Sequence, residues 1–223
     1  MAAITFSAVD HQRVVDLSFW QRWKVGVQAL LEVGKDPDRT DKVLEAYEHL
    51  NAGGESKRAR RFYASGSGER LFKKNRTLDG TTVDFAALAR LPQGTLGHQY
   101  ARFMRERNLT PDIFAAQGEL AREGYMIKRL RQTHDLWHVL TGINTDVSGE
   151  LELQAFTFAQ MGIPSALMLV TFGTLRWLPK DLTLPFRVIR GALRGLQAQL
   201  LAPVEWEEQW TRPLVELRRE LRC

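Results

Sequence analysis

The sequence predicts an all-α fold: a single helical domain of roughly seven to ten helices over residues 1–223, with a histidine motif on a central helix. Three observations carry this. Apolar residues recur at three- and four-residue spacing through most of the chain. No alternating runs joined by hairpin dipeptides and no βαβ pattern interrupt them. Gly, Pro, Asp, Ser and Thr punctuate the periodic segments at helical lengths, and no internal repeat suggests a second unit.

In chain order, residues 1–15 are expected to form a flexible N-terminal segment. Phe19, Trp20, Trp23, Val27, Leu30 and Leu31 lie at helical spacing, and Gly34 stops that helix. Asp36 before Pro37 opens a second helix that ends at Gly53-Gly54, so the two form an αα-hairpin. The basic run Lys57, Arg58, Arg60, Arg61 reads either as a phosphate grip or as a solvated helix face. DFAALARL resumes the helical signal at Asp84. LPQGTLGH breaks it, and HQYARFMRERNL is amphipathic. Thr110-Pro111 opens a long helix reaching Leu140; Gly142 and Asn144 end it, and Ser148 opens the next.

Residues 153–175, LQAFTFAQMGIPSALMLVTFGTL, carry no charge. Their length would allow a membrane span, but Gln154, Gln160, Gly162 and Pro164 weaken that reading. A buried helix pair split at Gly162-Ile163-Pro164 and a greasy, membrane-contacting groove are the alternatives. In the segment that follows, Arg176, Lys180, Arg187, Arg190 and Arg194 interleave with Trp177, Leu184, Phe186 and Ile189. That pattern suits an anionic membrane surface or a cover over the core.

A formal net charge of +5 over 223 residues favours anionic partners, or simply keeps the protein in solution. Cys223 is the only cysteine, which excludes an internal disulfide framework and Cys-rich metal sites. The N-terminal residues show neither the secretory nor the transit-peptide pattern. No Gly-x-Ser-x-Gly elbow is present, and GTLGHQY is too poor in glycine for a dinucleotide loop.

Two of the five histidines, His134 and His138, stand at i and i+4 in HDLWH. On a helix they share a face one turn apart, with Asp135 beside the first. This is the spacing of helix-borne zinc sites, and Glu150 in the first turn of the next helix could fold back to complete a His, Asp, His, Glu set. Zinc suits such donors, and manganese or iron would be tolerated. A metal-free polar cluster and an acid/base pair remain alternatives from spacing alone. A His-Asp phosphohydrolase would need further ligands, for which His98 and Asp181 are poorly placed.

The run His134, Asp135, His138, eleven residues, Glu150 resembles the signature of the coenzyme Q biosynthesis protein 4 family. The blocks RQTHDLWHVLTG, LPQGTLGHQYARFM and EWEEQWTRPLVELRREL resemble the family too, so the likeness runs from about residue 15 to the end. The resemblance implies an all-helical, zinc-binding ubiquinone biosynthesis protein with those four residues as ligands. It implies a lyase that removes the ring carboxylate of a polyprenylated hydroxybenzoate, with hydroxylation at the same carbon, or else a non-catalytic prenyl-lipid scaffold. Expected partners are the prenylated quinone precursor, other quinone-biosynthesis enzymes, a membrane surface and a second copy in a homodimer, with no nucleic acid. Arg131, Arg102 and Tyr100 are expected to contact the substrate. Lacking a transit peptide, the chain is expected on the inner face of a bacterial cell membrane, or as a processed chain on the matrix side of the mitochondrial inner membrane.

Overall fold

The computed structural model describes residues 13–14, 16–35, 39–51, 57–110 and 122–223. Among these there is no strand, and eleven α-helices are present. Nine are eight residues or longer, within the expected number; the other two are short turns of the chain. The Asp36-Pro37 and Gly53-Gly54 signals, most of the N-terminal segment and residues 111–121 of the long helix lie outside the described residues.

Helix α1 (Phe19–Lys35) pairs with α2 (Thr40–Asn51). Their apolar faces meet in a small core of Ala29, Leu30, Ala46 and Leu50, closed by Met168 and Leu169 from a later helix. Then come α3 (Lys57–Ala64), α4 (Ser67–Lys73), α5 (Phe85–Ala89) and α6 (Leu96–Glu106). Asp84 caps α5 by accepting from the Ala87 N–H at 2.8 Å, and Thr95 caps α6. Of the basic run, Arg58 pairs with Glu123 at 3.0 Å and Arg61 donates to the Gln160 carbonyl at 2.9 Å. These two arginines therefore tie α3 to its neighbours, Arg58 from a half-buried position and Arg61 from an exposed one.

The main core surrounds α7 (Arg122–Thr141), which packs against α3, α6 and the C-terminal helix α11 (Leu214–Leu221). Leu136, Trp137 and Leu140 are fully enclosed. Arg129 is enclosed too, and Glu207 takes its guanidinium bidentately at 2.7 and 2.8 Å, in the 3₁₀ turn Trp206–Glu208. Without that partner the buried charge would be costly.

The uncharged stretch forms two helices, α8 (Val147–Met161) and α9 (Pro164–Trp177). Gly162 ends α8 in the left-handed conformation (φ 63°), and Pro164 opens α9 where a missing N–H costs nothing. The break predicted at Gly162-Ile163-Pro164 is where the chain turns. Among the described residues, no helix is long and apolar enough to cross a membrane. Helix α10 (Leu184–Gln197) lies along α8 and touches it through glycines and arginines. Gly191 sits so close that an added Cβ would run into the Glu152 carbonyl oxygen; at Gly195 it would come within 2.6 Å of the Phe156 carbonyl oxygen. Arg190 clamps the almost fully buried Glu152 carboxylate at 2.7 and 2.9 Å, and Arg187 stands at 3.4 Å.

A Gly191→Ala substitution must therefore push α10 off α8. Urea unfolding is expected to show a loss of about 1–3 kcal/mol, as for overpacked cores. The same change at Gly94, where nothing lies within 4 Å of an added Cβ, meets no such wall. Gly94 has φ 89°, so its cost is conformational strain alone.

Candidate metal centre

The site is built by the α7–α8 corner. Gly142 ends α7 with φ 69°, a conformation that costs glycine little. Asp146 caps α8 by accepting from the Gly149 N–H at 2.6 Å, two residues before the expected Ser148 start. Gly149 lets the loop fold against the new helix, because a side chain there would run into the Asn144 carbonyl. Glu150 thus stands in the first turn of α8, facing back to α7. The positive end of the helix dipole there favours its negative charge.

His134, His138 and Glu150 come together with one ligand atom from each, all within 4.8 Å of one another. Glu150 Oε2 is 3.2 Å from His134 Nε2, and Oε1 is 3.1 Å from His138 Nε2. The imidazole rings are 4.9 Å apart and near perpendicular. His138 is buried, and its Nδ1 lies 3.0 Å from the Ile143 carbonyl oxygen. A carbonyl only accepts, so Nδ1 carries the hydrogen. Nε2 then presents a lone pair toward a carboxylate, itself an acceptor, and is buried with no aligned hydrogen-bond partner. Two acceptors at 3.1 Å need a positive charge between them, either a proton or a cation.

Ionisation follows the same logic. Burial disfavours a charged His134, but the hydrogen bond and charge of Glu150, with the charge of Asp135, outweigh it and raise its pKa. Burial likewise pushes the Glu150 carboxyl upward; the hydrogen bonds and charges of the two histidines reverse this and hold it at about 2. The centre is thus built around a fixed carboxylate and attracts positive charge. Three N/O donors, with one imidazole oriented through its other nitrogen by a backbone carbonyl, fit a divalent cation.

Asp135 does not join the three converging donors. It sits about 100° around the helix from His134, so its carboxyl points to a neighbouring face. Burial raises its pKa, opposed by the charges of His134, His138 and Arg107. Arg131 and Tyr100 are engaged by other partners, although the Asp135 charge reaches the Tyr100 hydroxyl, where burial first and that charge second raise the pKa. Arg131 donates to Glu48 of α2 at 2.6 Å, and Tyr100 is buried against Trp210, the rings parallel and 5.9 Å apart. Arg102 pairs with Glu106 at 3.2 Å and lines a cavity of about 240 Å³ that also takes in His138, Arg107 and Arg218.

Arg107 and Arg218 were not singled out from sequence. Arg107 stacks over Phe103 at 4.1 Å, the ring that itself stacks on His138; its i+4 spacing from Phe103 was the one available signal. Arg218 donates to the Leu140 and Val139 carbonyls at 2.7 and 3.0 Å, and nothing local marks that long-range cap. A second, apolar cavity of about 200 Å³ lies between α1, α8 and α9. Leu30, Val33, Leu151, Leu169, Phe172 and Trp177 line it, with Lys35 and Arg176 among its polar residues.

Adding zinc to chelator-treated protein is expected to raise the Tm, with one equivalent bound by calorimetry. His138→Ala and Glu150→Ala should each weaken binding by more than about tenfold, the loss that disturbing even an outer partner of a ligand produces. Binding unchanged in both variants would place the ion elsewhere.

Residues 11–223 match the model of the family described as coenzyme Q (ubiquinone) biosynthesis protein Coq4. The mitochondrial ubiquinone biosynthesis protein COQ4 homolog 1 of Culex quinquefasciatus is 32% identical over 207 residues, 90% of this chain and 74% of that one. The mitochondrial COQ4 homolog of Rattus norvegicus is 32% identical over 161 residues, 69% of this chain but only 60% of the rat protein's length. A crystal structure from Nostoc punctiforme, of a candidate ubiquinone biosynthesis protein, superposes with a TM-score of 0.71 at 28% identity. It covers 89% of this chain and 96% of its own.

Proposed function

The chain belongs to the coenzyme Q (ubiquinone) biosynthesis protein Coq4 family, and from that premise we propose that it is a zinc-dependent lyase of ubiquinone biosynthesis. In this reading His134, His138 and Glu150 hold the ion, and Asp135, the fourth residue of the expected set, stands beside them on the neighbouring helix face. The substrate is a polyprenylated hydroxybenzoate that loses its ring carboxylate. The observation that carries the reading is the buried Nε2 of His138 facing the Glu150 carboxylate beside an arginine-lined cavity.

Each group has a task set by its position. Arg102, Arg107 and Arg218 around the cavity offer guanidinium donors to the substrate carboxylate and orient the ring beside His138. The prenyl tail is accepted by the apolar cavity, which begins at Val147 and Leu151 on the helix that carries Glu150. Breaking the bond between ring and carboxyl carbon leaves an electron pair on the ring. A proton takes it up, or, where hydroxylation follows, oxygen from an oxidant supplied from outside this chain. A bound divalent cation would supply Lewis-acid stabilisation of negative charge on the substrate oxygens. Asp135, whose carboxyl burial pushes above the usual carboxylate range, offers a group that holds or delivers a proton beside the ion.

Membrane contact belongs to the same reading. Phe172 and Leu175 on α9 are exposed. Lys180 lies over Trp177 at 4.2 Å, so cationic and aromatic groups adjoin the mouth of the apolar cavity. Other enzymes of the pathway and a second copy of the chain are the expected protein partners.

One observation favours a scaffold as the second reading. The three donors join α7 to α8 at their corner, so an ion there would also pin the hairpin that walls both cavities. His138→Ala assayed with a prenylated hydroxybenzoate separates the two. A lyase is expected to lose carbon dioxide release by about a hundredfold or more, with helicity retained. A wild-type protein that binds the prenyl lipid yet releases no carbon dioxide supports the scaffold.

A further inference from the structure

Asp181 is not among the donors that converge on the metal centre, yet both of its oxygens are engaged. Oδ1 accepts the Thr183 N–H at 2.9 Å and the Thr183 hydroxyl at 2.6 Å, which shapes the turn between α9 and α10. Oδ2 leaves that turn and accepts the Ser148 hydroxyl at 2.6 Å, 33 residues away along the chain. Ser148 is buried in the first turn of α8 and stands two residues before Glu150. One oxygen therefore serves the turn and the other serves α8.

The charges around this bond support it. Arg187, near the start of α10, lies 3.9 Å from Asp181, 3.4 Å from the α8 cap Asp146 and 3.4 Å from Glu152. One guanidinium thus spans three carboxylates around the start of α8 and offsets their mutual repulsion. The hydrogen bonds from Ser148 and Thr183 hold the Asp181 carboxyl below the usual carboxylate range, so it stays an acceptor.

We propose that Asp181 is a positioning residue of the metal centre: through Ser148 it fixes the rotation of the first turn of α8, and with it the direction of Glu150. Residues two apart on a helix are separated by about 200°, so Ser148 and Glu150 leave α8 on opposite sides. Asp181 holds the turn from behind while Glu150 reaches forward to the two imidazoles. The Asp146 cap decides where the helix begins, but its bond to the Gly149 N–H lies within the same turn and sets no rotation against α7. A rotation of about 10° carries a group about 6 Å from the helix axis through about 1 Å. A working ligand set tolerates about half of that. The inference rests on the reading of the three donors as a cation site and not on the lyase reaction.

Zinc affinity of the full chain, read by competition with a chromophoric chelator, tests it. The visible absorption of the cobalt(II)-loaded protein reports ligand geometry alongside. Ser148→Ala and Asp181→Ala are each expected to weaken zinc about tenfold or more and to change the cobalt band. The double variant is expected to lose no more than the worse single one, because both remove the same bond. Asp181→Asn, whose side-chain amide can still meet the Ser148 hydroxyl, is expected to recover most of the affinity. Thr183→Ala loosens only the turn and is expected within about threefold of wild type. Zinc binding unchanged in Ser148→Ala overturns the inference, and so does an equal loss in Thr183→Ala, which would mark a general loosening. A wild type that binds no zinc overturns the cation-site reading and this inference together, whereas normal wild-type binding with unaffected variants overturns the inference alone. No turnover is read, so a scaffold role for the protein leaves the result unchanged.

Discussion

The centre of this protein is a carboxylate held against two imidazoles. Glu150 cannot sit 3.1 Å from a buried His138 lone pair without positive charge between them, and the surrounding elements exist to keep it there. The Ile143 carbonyl fixes the ring, Asp146 and Gly149 fix the start of α8, and Gly142 sets the corner. None of these is a donor in the triad, yet each decides whether the donors converge. A ligand set drawn from two helices is only as rigid as the connection between them.

Helix α8 serves three neighbours at once. Glu150 faces α7, Val147 and Leu151 wall the apolar cavity toward α1 and α9, and Glu152 with Phe156 receives α10. This explains why α8 is apolar nearly all round and why its sequence could be mistaken for a membrane segment. A helix enclosed on most sides needs no polar face. The polarity missing from α8 appears on α10, whose Arg187 and Arg190 reach the buried Glu152 carboxylate of α8. The apolar side of α10 is consequently turned outward.

Much of the helical order was legible in the sequence because helix signals are local. Thr95, Asp84, Gly142, Gly162 and Pro164 act within one turn of where they stand. The pair His134 and His138 was legible for the same reason, and the return of Glu150 followed from the short connection. Arg131 and Tyr100 illustrate the limit. Both lie within the motif blocks, but Glu48 and Trp210, each far away along the chain, engage their side chains.

By itself the sequence determined the helices, the punctuation between them, the resemblance to one family and a histidine pair able to share a ligand. Those depend on the fixed geometry of one helix turn. Only the tertiary structure decided that Asp135 stands outside the converging donors, that Arg107 and Arg218 join Arg102 around His138, and that α10 faces outward with its leucines. Each of these depends on how one helix is rotated against another. That rotation is set by close backbone contacts and buried ion pairs between distant residues, which periodicity along a single helix does not encode.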